Sequence, residues 1–260
     1  MDLELHGRRV LVTGGSQGIG LAVVRGFLRE GAAVTIVSRD RARSDAAVTM
    51  LLADPGGKVE RRIVDLAERG TAAALADECR DTDILVNNAG AIPVGDLFSV
   101  DETRWREAWD LKVFGYINLM RAMYGHMRGK APKVIVNVLG LGGERPQWNY
   151  ACGNAANTAL AGVTKSLGGR SIDDGIRVVG VNPGGVETER MVAIQKARAA
   201  RELGDEARWR DYYADKPLHR AATPDEVANV ILFLASARAS WVSGAVVPVD
   251  GGFLHRESWF

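Results

Sequence analysis

The stretch Arg9-Val10-Leu11-Val12-Thr13-Gly14-Gly15-Ser16-Gln17-Gly18-Ile19-Gly20 decides the fold. It begins as a short apolar run of strand type and breaks into a glycine-rich turn. From residue 18 to 30 it continues as helix-forming sequence, and a second apolar run follows at 33–37. Strand, glycine turn, helix and strand together make a βαβ unit. Glycines in such a turn permit tight chain reversal and let a pyrophosphate approach the exposed N–H groups of a helix N-terminus. Gly14, Ser16, Gln17, Gly18, Ile19 and Gly20 are therefore expected to bind the phosphates of a dinucleotide.

The pattern repeats outward from this unit. Apolar runs recur at 58–64, 84–87, 134–138, 177–181 and 245–249, and helical stretches at 41–52, 71–80, 102–128, 149–171 and 224–235 lie between them. Such alternation predicts an α/β fold, a Rossmann-type doubly wound parallel sheet of about seven strands with helices on both faces. No linker or repeat divides the 260 residues, so one domain is expected. Residues 187–216, rich in Arg, Glu, Asp and Ala, interrupt the rhythm before the last strand. They read either as a solvated helical insertion or as a lid over the carboxyl edge of the sheet, where ligands of open α/β folds bind.

Composition excludes several classes. With 33 Lys+Arg against 32 Asp+Glu and a net charge of +1, there is no electrostatic footprint for nucleic acid or an anionic membrane. The first residues lack a signal peptide's apolar core, and the longest uncharged stretch, 146–164, carries three asparagines and a glutamine. Two cysteines and four histidines suggest neither a disulfide framework nor a metal site, and a cytoplasmic location is expected.

At the end of the second run the chain reads Val37-Ser38-Arg39-Asp40. A carboxylate there would grip a ribose 2′-hydroxyl, whereas Ser38 followed by Arg39 suits a 2′-phosphate, which a guanidinium pairs in forked geometry. NADP(H) is thus favoured. The alternative is NAD(H), with Asp40 on the hydroxyl.

Further motifs occur in order: Asp65-Leu66, Asn87-Asn88-Ala89-Gly90, Asn182-Pro183-Gly184, and Ser243-Gly244 ahead of Val249-Asp250-Gly251-Gly252. With the first glycine turn they resemble the short-chain dehydrogenase/reductase family from about Leu5 to Phe253. The resemblance implies that Asp65 and Leu66 meet the adenine and that Asn88, Ala89 and Gly90 line the cofactor. It places Pro183, Gly184, Val186 and Thr188 at the nicotinamide end. It also implies a homotetramer in which 102–128 and 149–171 pack against their copies. The terminal aromatics Trp259 and Phe260 offer a further docking point on a neighbouring subunit.

The family's chemistry uses a tyrosine as acid/base, a lysine one helical turn later, a serine before them and an asparagine from a neighbouring helix. Aligned on these motifs, Tyr150 is retained, but Asn154 stands at the lysine position, Gly140 at the serine position and Lys112 at the asparagine position. The loop between Gly140 and Tyr150 is about three residues shorter than the family's. Two of the changes are reciprocal. Either the site has decayed, or the Lys112 ammonium reaches Tyr150 from the opposite wall while Asn154 hydrogen-bonds a ribose hydroxyl. Lys112 could instead extend to solvent, and Tyr150 could simply pack at a helix start. Trp148, Met191 and Val192 are candidates for an apolar wall of a small-molecule substrate pocket. The resulting expectation is an NADP(H)-linked oxidoreductase moving hydride between nicotinamide and a carbonyl or alcohol. The alternatives are a non-redox dinucleotide-binding sensor or assembly protein, or a lyase-like enzyme.

Overall fold

The computed structural model describes residues 1–53, 57–129 and 132–256, so the aromatic pair Trp259 and Phe260 lies outside the described residues. Seven strands form one parallel sheet: β1 (Arg9–Thr13), β2 (Ala33–Ser38), β3 (Val59–Ile63), β4 (Ile84–Asn87), β5 (Lys133–Val138), β6 (Ile176–Pro183) and β7 (Val246–Val249). Their spatial order is β3-β2-β1-β4-β5-β6-β7. The chain runs outward from β1 to β3 and resumes on the other side of β1 with β4. That reversal opens a crevice at the carboxyl ends of β1 and β4.

The two-residue period of the strands divides the core. Val10 and Val12 of β1 enter one apolar cluster and Leu11 the other. The first cluster is covered by α1 (Gly18–Arg29) and α8 (Pro224–Ala235), which supply Phe27 and Ile231. The second takes Tyr116, Leu119 and Met123 from α5 (Gly115–Met127) and Leu160 from α6 (Ala151–Ser171). Full burial of a side chain such as Phe27 stabilises the fold by roughly 1.5–3 kcal/mol. α2 (Arg41–Leu52), α3 (Thr71–Glu78), α4 (Glu102–Trp109) and α7 (Glu189–Leu203) complete the α-helices of the described residues.

Two features differ from a simple reading of the sequence. The stretch 102–128 is not one α-helix, because α4 and α5 are joined by a π-helical turn, Asp110–Phe114, that contains Lys112. The wider turn buries Lys112 and Val113, and such π-turns recur at functional sites. The 187–216 insertion has a small core of its own. α7 and a 3-10 segment, Glu206–Tyr213, pack Ala199, Trp209, Tyr213 and Ala221 together, with the Trp209 and Tyr213 rings edge-on at 5.7 Å.

Candidate active site

The crevice is built from the first glycine turn. Gly14 and Gly18 have φ of +65° and +53°, in the left-handed region that favours glycine, and a β-carbon on Gly20 would lie 2.2 Å from the Gly14 carbonyl oxygen. The neighbouring strand holds the turn in place. Asn88 Nδ2 donates to the carbonyls of Thr13 at 3.0 Å and Gly14 at 3.2 Å, while Thr13 Oγ1 accepts from the N–H groups of Asn88 and Ala89. At the start of α1, Gln17 makes no side-chain cap, so the first N–H groups beyond Gly18, Ile19 and Gly20 receive no acceptor from it. An uncapped helix N-terminus behind a turn too tight for side chains fits a pyrophosphate.

Ser16, Ser38, Arg39, Asp65 and Leu66, expected at the adenosine end, lie at and beyond the carboxyl ends of β1, β2 and β3. Ser16 Oγ donates to Ser38 Oγ at 3.3 Å. Asp40 is already engaged, because its carboxylate caps α2 by accepting from Arg43 N at 3.0 Å. The Arg43 guanidinium reaches back to Gln17 Oε1, and the 62% exposed side chain of Arg39 pairs with Asp65 at 3.4 Å. Two guanidinium groups therefore follow Ser38 closely in the chain, one paired with Asp65 and the other with Gln17. Leu66 is buried, against Gly115.

On the other side, Pro183 ends β6 and the Gly184 N–H donates to the Val249 carbonyl at 3.0 Å. Val186 is buried beside Ala222. Thr188 caps α7 and lies over the glycine turn, since a β-carbon on Gly18 would sit 3.1 Å from its methyl group. The insertion thus begins in contact with the glycine turn.

The remaining site residues converge between β4, β5 and α6. Tyr150 is the N-cap of α6, and its ring lies over the first turn of that helix: a β-carbon on Gly153 would come within 2.1 Å of Cε1. Burial raises its phenol pKa above the ordinary value, and the Arg190 guanidinium offsets part of that rise. Lys112 does not extend to solvent. It is 8% exposed, its stem lies against Gly90, and Nζ donates to the Leu139 carbonyl at 2.8 Å. Desolvation, with a smaller contribution from Arg190, lowers its pKa from 10.5 to about 8. Asn154 Nδ2 donates to the Gln147 carbonyl at 2.7 Å and pins the shortened loop, while its Oδ1 is buried without a partner. The Gly140 N–H donates to Asn182 Oδ1 at 3.2 Å, and Asn182 in turn donates to Glu144.

Three contributors escaped the sequence reading. Arg190, on α7, donates to the carbonyls of Ile92 at 2.6 Å and Gly90 at 3.5 Å, and so ties the insertion to the loop after β4. Arg43 approaches the glycine turn from α2. Phe98, 82% exposed, meets the exposed ring of Trp148 at 6.4 Å to form an aromatic rim. No motif marks these residues; an arginine three positions after an aspartate cap is the only local signal, for Arg43. Met191 and Val192 are half-buried on α7, and Val192 packs with the insertion core.

This combination of sheet order, glycine turn and tyrosine-bearing helix defines the class. Residues 14–254 match the family model described as enoyl-(acyl carrier protein) reductase. Galactitol 2-dehydrogenase of Rhizobium johnstonii is 36% identical, with 96% of each chain covered. The crystal structure of L-sorbose reductase from Gluconobacter frateurii, complexed with NADPH and L-sorbose, superposes with a TM-score of 0.92 at 31% identity, covering 99% of this chain and 100% of that one. An NADPH-bound short-chain oxidoreductase from Pseudomonas aeruginosa PAO1, described as containing an atypical catalytic center, superposes at 0.84 with 31% identity, covering 97% and 100%. The chain belongs to the short-chain dehydrogenase/reductase family and is a dinucleotide-linked oxidoreductase. No helix among the described residues is long and apolar enough to cross a membrane.

Proposed function

We propose that the protein reduces a ketone to a secondary alcohol with NADPH, with Tyr150 donating the proton to the carbonyl oxygen. The carrying observation is Tyr150 itself. Its half-buried phenol, whose pKa burial raises above the ordinary value, carries a proton to give at neutral pH. Reduction takes up a proton, so it is favoured toward lower pH and oxidation of the alcohol gains at alkaline pH. A nicotinamide held here would supply the hydride for the carbonyl carbon, and Tyr150 would give its proton to the carbonyl oxygen as the C=O electron pair moves onto it.

The chain's own residues set up that step. Arg190 acts on the tyrosine and favours negative charge developing on oxygen and phenolate, while Lys112 holds a second cation under Gly90, bonded to the Leu139 carbonyl. In this reading Lys112 supplies from the π-turn what the family's lysine supplies from the tyrosine helix, and Asn154 faces the ribose side. Arg39, Arg43 and Ser38 would hold a 2′-phosphate, since Asp40 is committed to its helix cap. Support for a polyhydroxylated ketone comes from the galactitol and L-sorbose enzymes, and the Phe98–Trp148 rim offers an apolar face on which such a carbon skeleton can rest. The insertion 187–216 acts as a lid within one catalytic domain, and the assembly is a cytoplasmic homotetramer.

Fluorescence titration with NADPH and NADH, followed by an NADPH-oxidation screen with L-sorbose and other ketoses, tests the reading. Tighter binding of NADPH and turnover of at least one ketose are expected. Tight binding with no turnover of any carbonyl compound would instead favour a sensor.

A further inference from the structure

The family's serine normally gives the substrate oxygen a second hydrogen-bond donor, and Gly140 has none to give. We infer that Asn157 replaces it: its side-chain amide, reaching from α6 through the space left by the missing side chain of Gly140, donates to the substrate carbonyl oxygen. A β-carbon built on Gly140 would lie 2.9 Å from Asn157 Nδ2, so the amide nitrogen already borders the volume a serine side chain would fill. The helix makes this possible. Tyr150, Asn154 and Asn157 are spaced i, i+4 and i+7, which sets all three on one face of α6.

Asn157 is itself an anomaly. It is 1% exposed, and its Oδ1 is buried without a hydrogen-bond partner. Its Nδ2 likewise meets no acceptor among the described residues. A buried amide in that condition requires an explanation, and a bound ligand is one. The turn 140–143 is pressed onto it, since a β-carbon on Gly143 would lie 3.0–3.1 Å from Asn157 backbone and side-chain carbons. Gly140 beside the amide is only half-buried. The glycine turn lies flush against the helix, which sets an amide beside the volume a serine side chain at 140 would fill.

This inference rests on the ketone-reduction reading, and the experiment separates the two. The probe is L-sorbose with NADPH, followed by NADPH oxidation, with calorimetric binding of L-sorbose to the NADP⁺ complex as a readout independent of turnover. Asn157→Leu and Asn157→Ala should lose about 10²–10³ in kcat with unchanged NADPH affinity, the loss typical of removing one oxyanion donor. Thermal stability of Asn157→Leu should equal or exceed that of wild type, which a purely structural asparagine would not allow. Adding Gly140→Ser to Asn157→Ala should restore kcat to within about tenfold of wild type. Gly140→Ser alone should not raise it, because the serine meets the amide. Variants within about threefold of wild type in both turnover and L-sorbose binding, or a double variant no better than Asn157→Ala, would overturn the role. If wild type binds L-sorbose without turning it over, at least tenfold weaker binding by Asn157→Ala supports the donor even as the hydride-transfer reading fails. A wild type that neither binds nor reduces any ketose overturns both.

Discussion

Lys112 carries a buried charge, and its replacement has a calculable signature. Its pKa is lowered from 10.5 to about 8 because the ammonium is buried and faces Arg190. The unfolded chain therefore binds more protons than the folded chain between those two values, so stability from this group rises with pH across that window. At pH 7 the shift corresponds to a penalty of about 3 kcal/mol, falling to about 2 at pH 9 and below about 1 at pH 10. Lys112→Met keeps the apolar stem, removes the titration and leaves the Leu139 carbonyl without its donor, a loss of about 1–3 kcal/mol that does not depend on this proton. Urea unfolding of both proteins at the three pH values isolates the effect. Wild type should gain about 1 kcal/mol on the variant between pH 7 and 9, and about 2 or more by pH 10. A difference that stays constant across the range would refute the claim that Lys112 sits charged in a desolvated site.

Three other outcomes follow from the geometry. Arg190→Gln removes the cation that lowers both Tyr150 and Lys112, so both should hold their protons to higher pH and the alkaline limb of the reduction profile should move to higher pH. Arg39→Ala and Arg43→Ala should each weaken NADPH binding by about tenfold while leaving NADH binding nearly unchanged, as fluorescence titration will show. Gly153→Ala places a methyl group 2.1 Å from the Tyr150 ring, and should cost about as much kcat as Tyr150→Phe, on the order of 10²–10⁴, with NADPH affinity retained.

The fold was legible because the central strands β1, β4, β5 and β6, largely buried on both faces, read as short apolar runs; β3 at the edge, with Glu60, Arg61 and Arg62 in its middle, is legible only from its place in the alternation. The glycine turn and its crevice were legible for a related reason: Gly14, Gly18 and Gly20 stand where no side chain fits. The π-turn was not, because one wider turn barely disturbs a helical apolar pattern, and only the burial of Lys112 reveals it. Arg190 and Arg43 are long side chains whose targets lie on other elements, so their spacing carries no message. Asn157 reads as an ordinary helical residue until the turn 140–143 is folded against it. The same packing changes the outlook for rebuilding the family arrangement. Gly140→Ser beside Lys112→Asn and Asn154→Lys encounters the Asn157 amide, so the restored site also needs Asn157 shortened.

The most direct test of the account is the pair of rates for NADPH oxidation by L-sorbose, measured for wild type and Tyr150→Phe at neutral pH after both are shown to bind NADPH equally. Turnover by wild type and a loss on the order of 10²–10⁴ in the variant are the predicted result. Equal rates in the two proteins would contradict it by removing Tyr150 from the proton transfer.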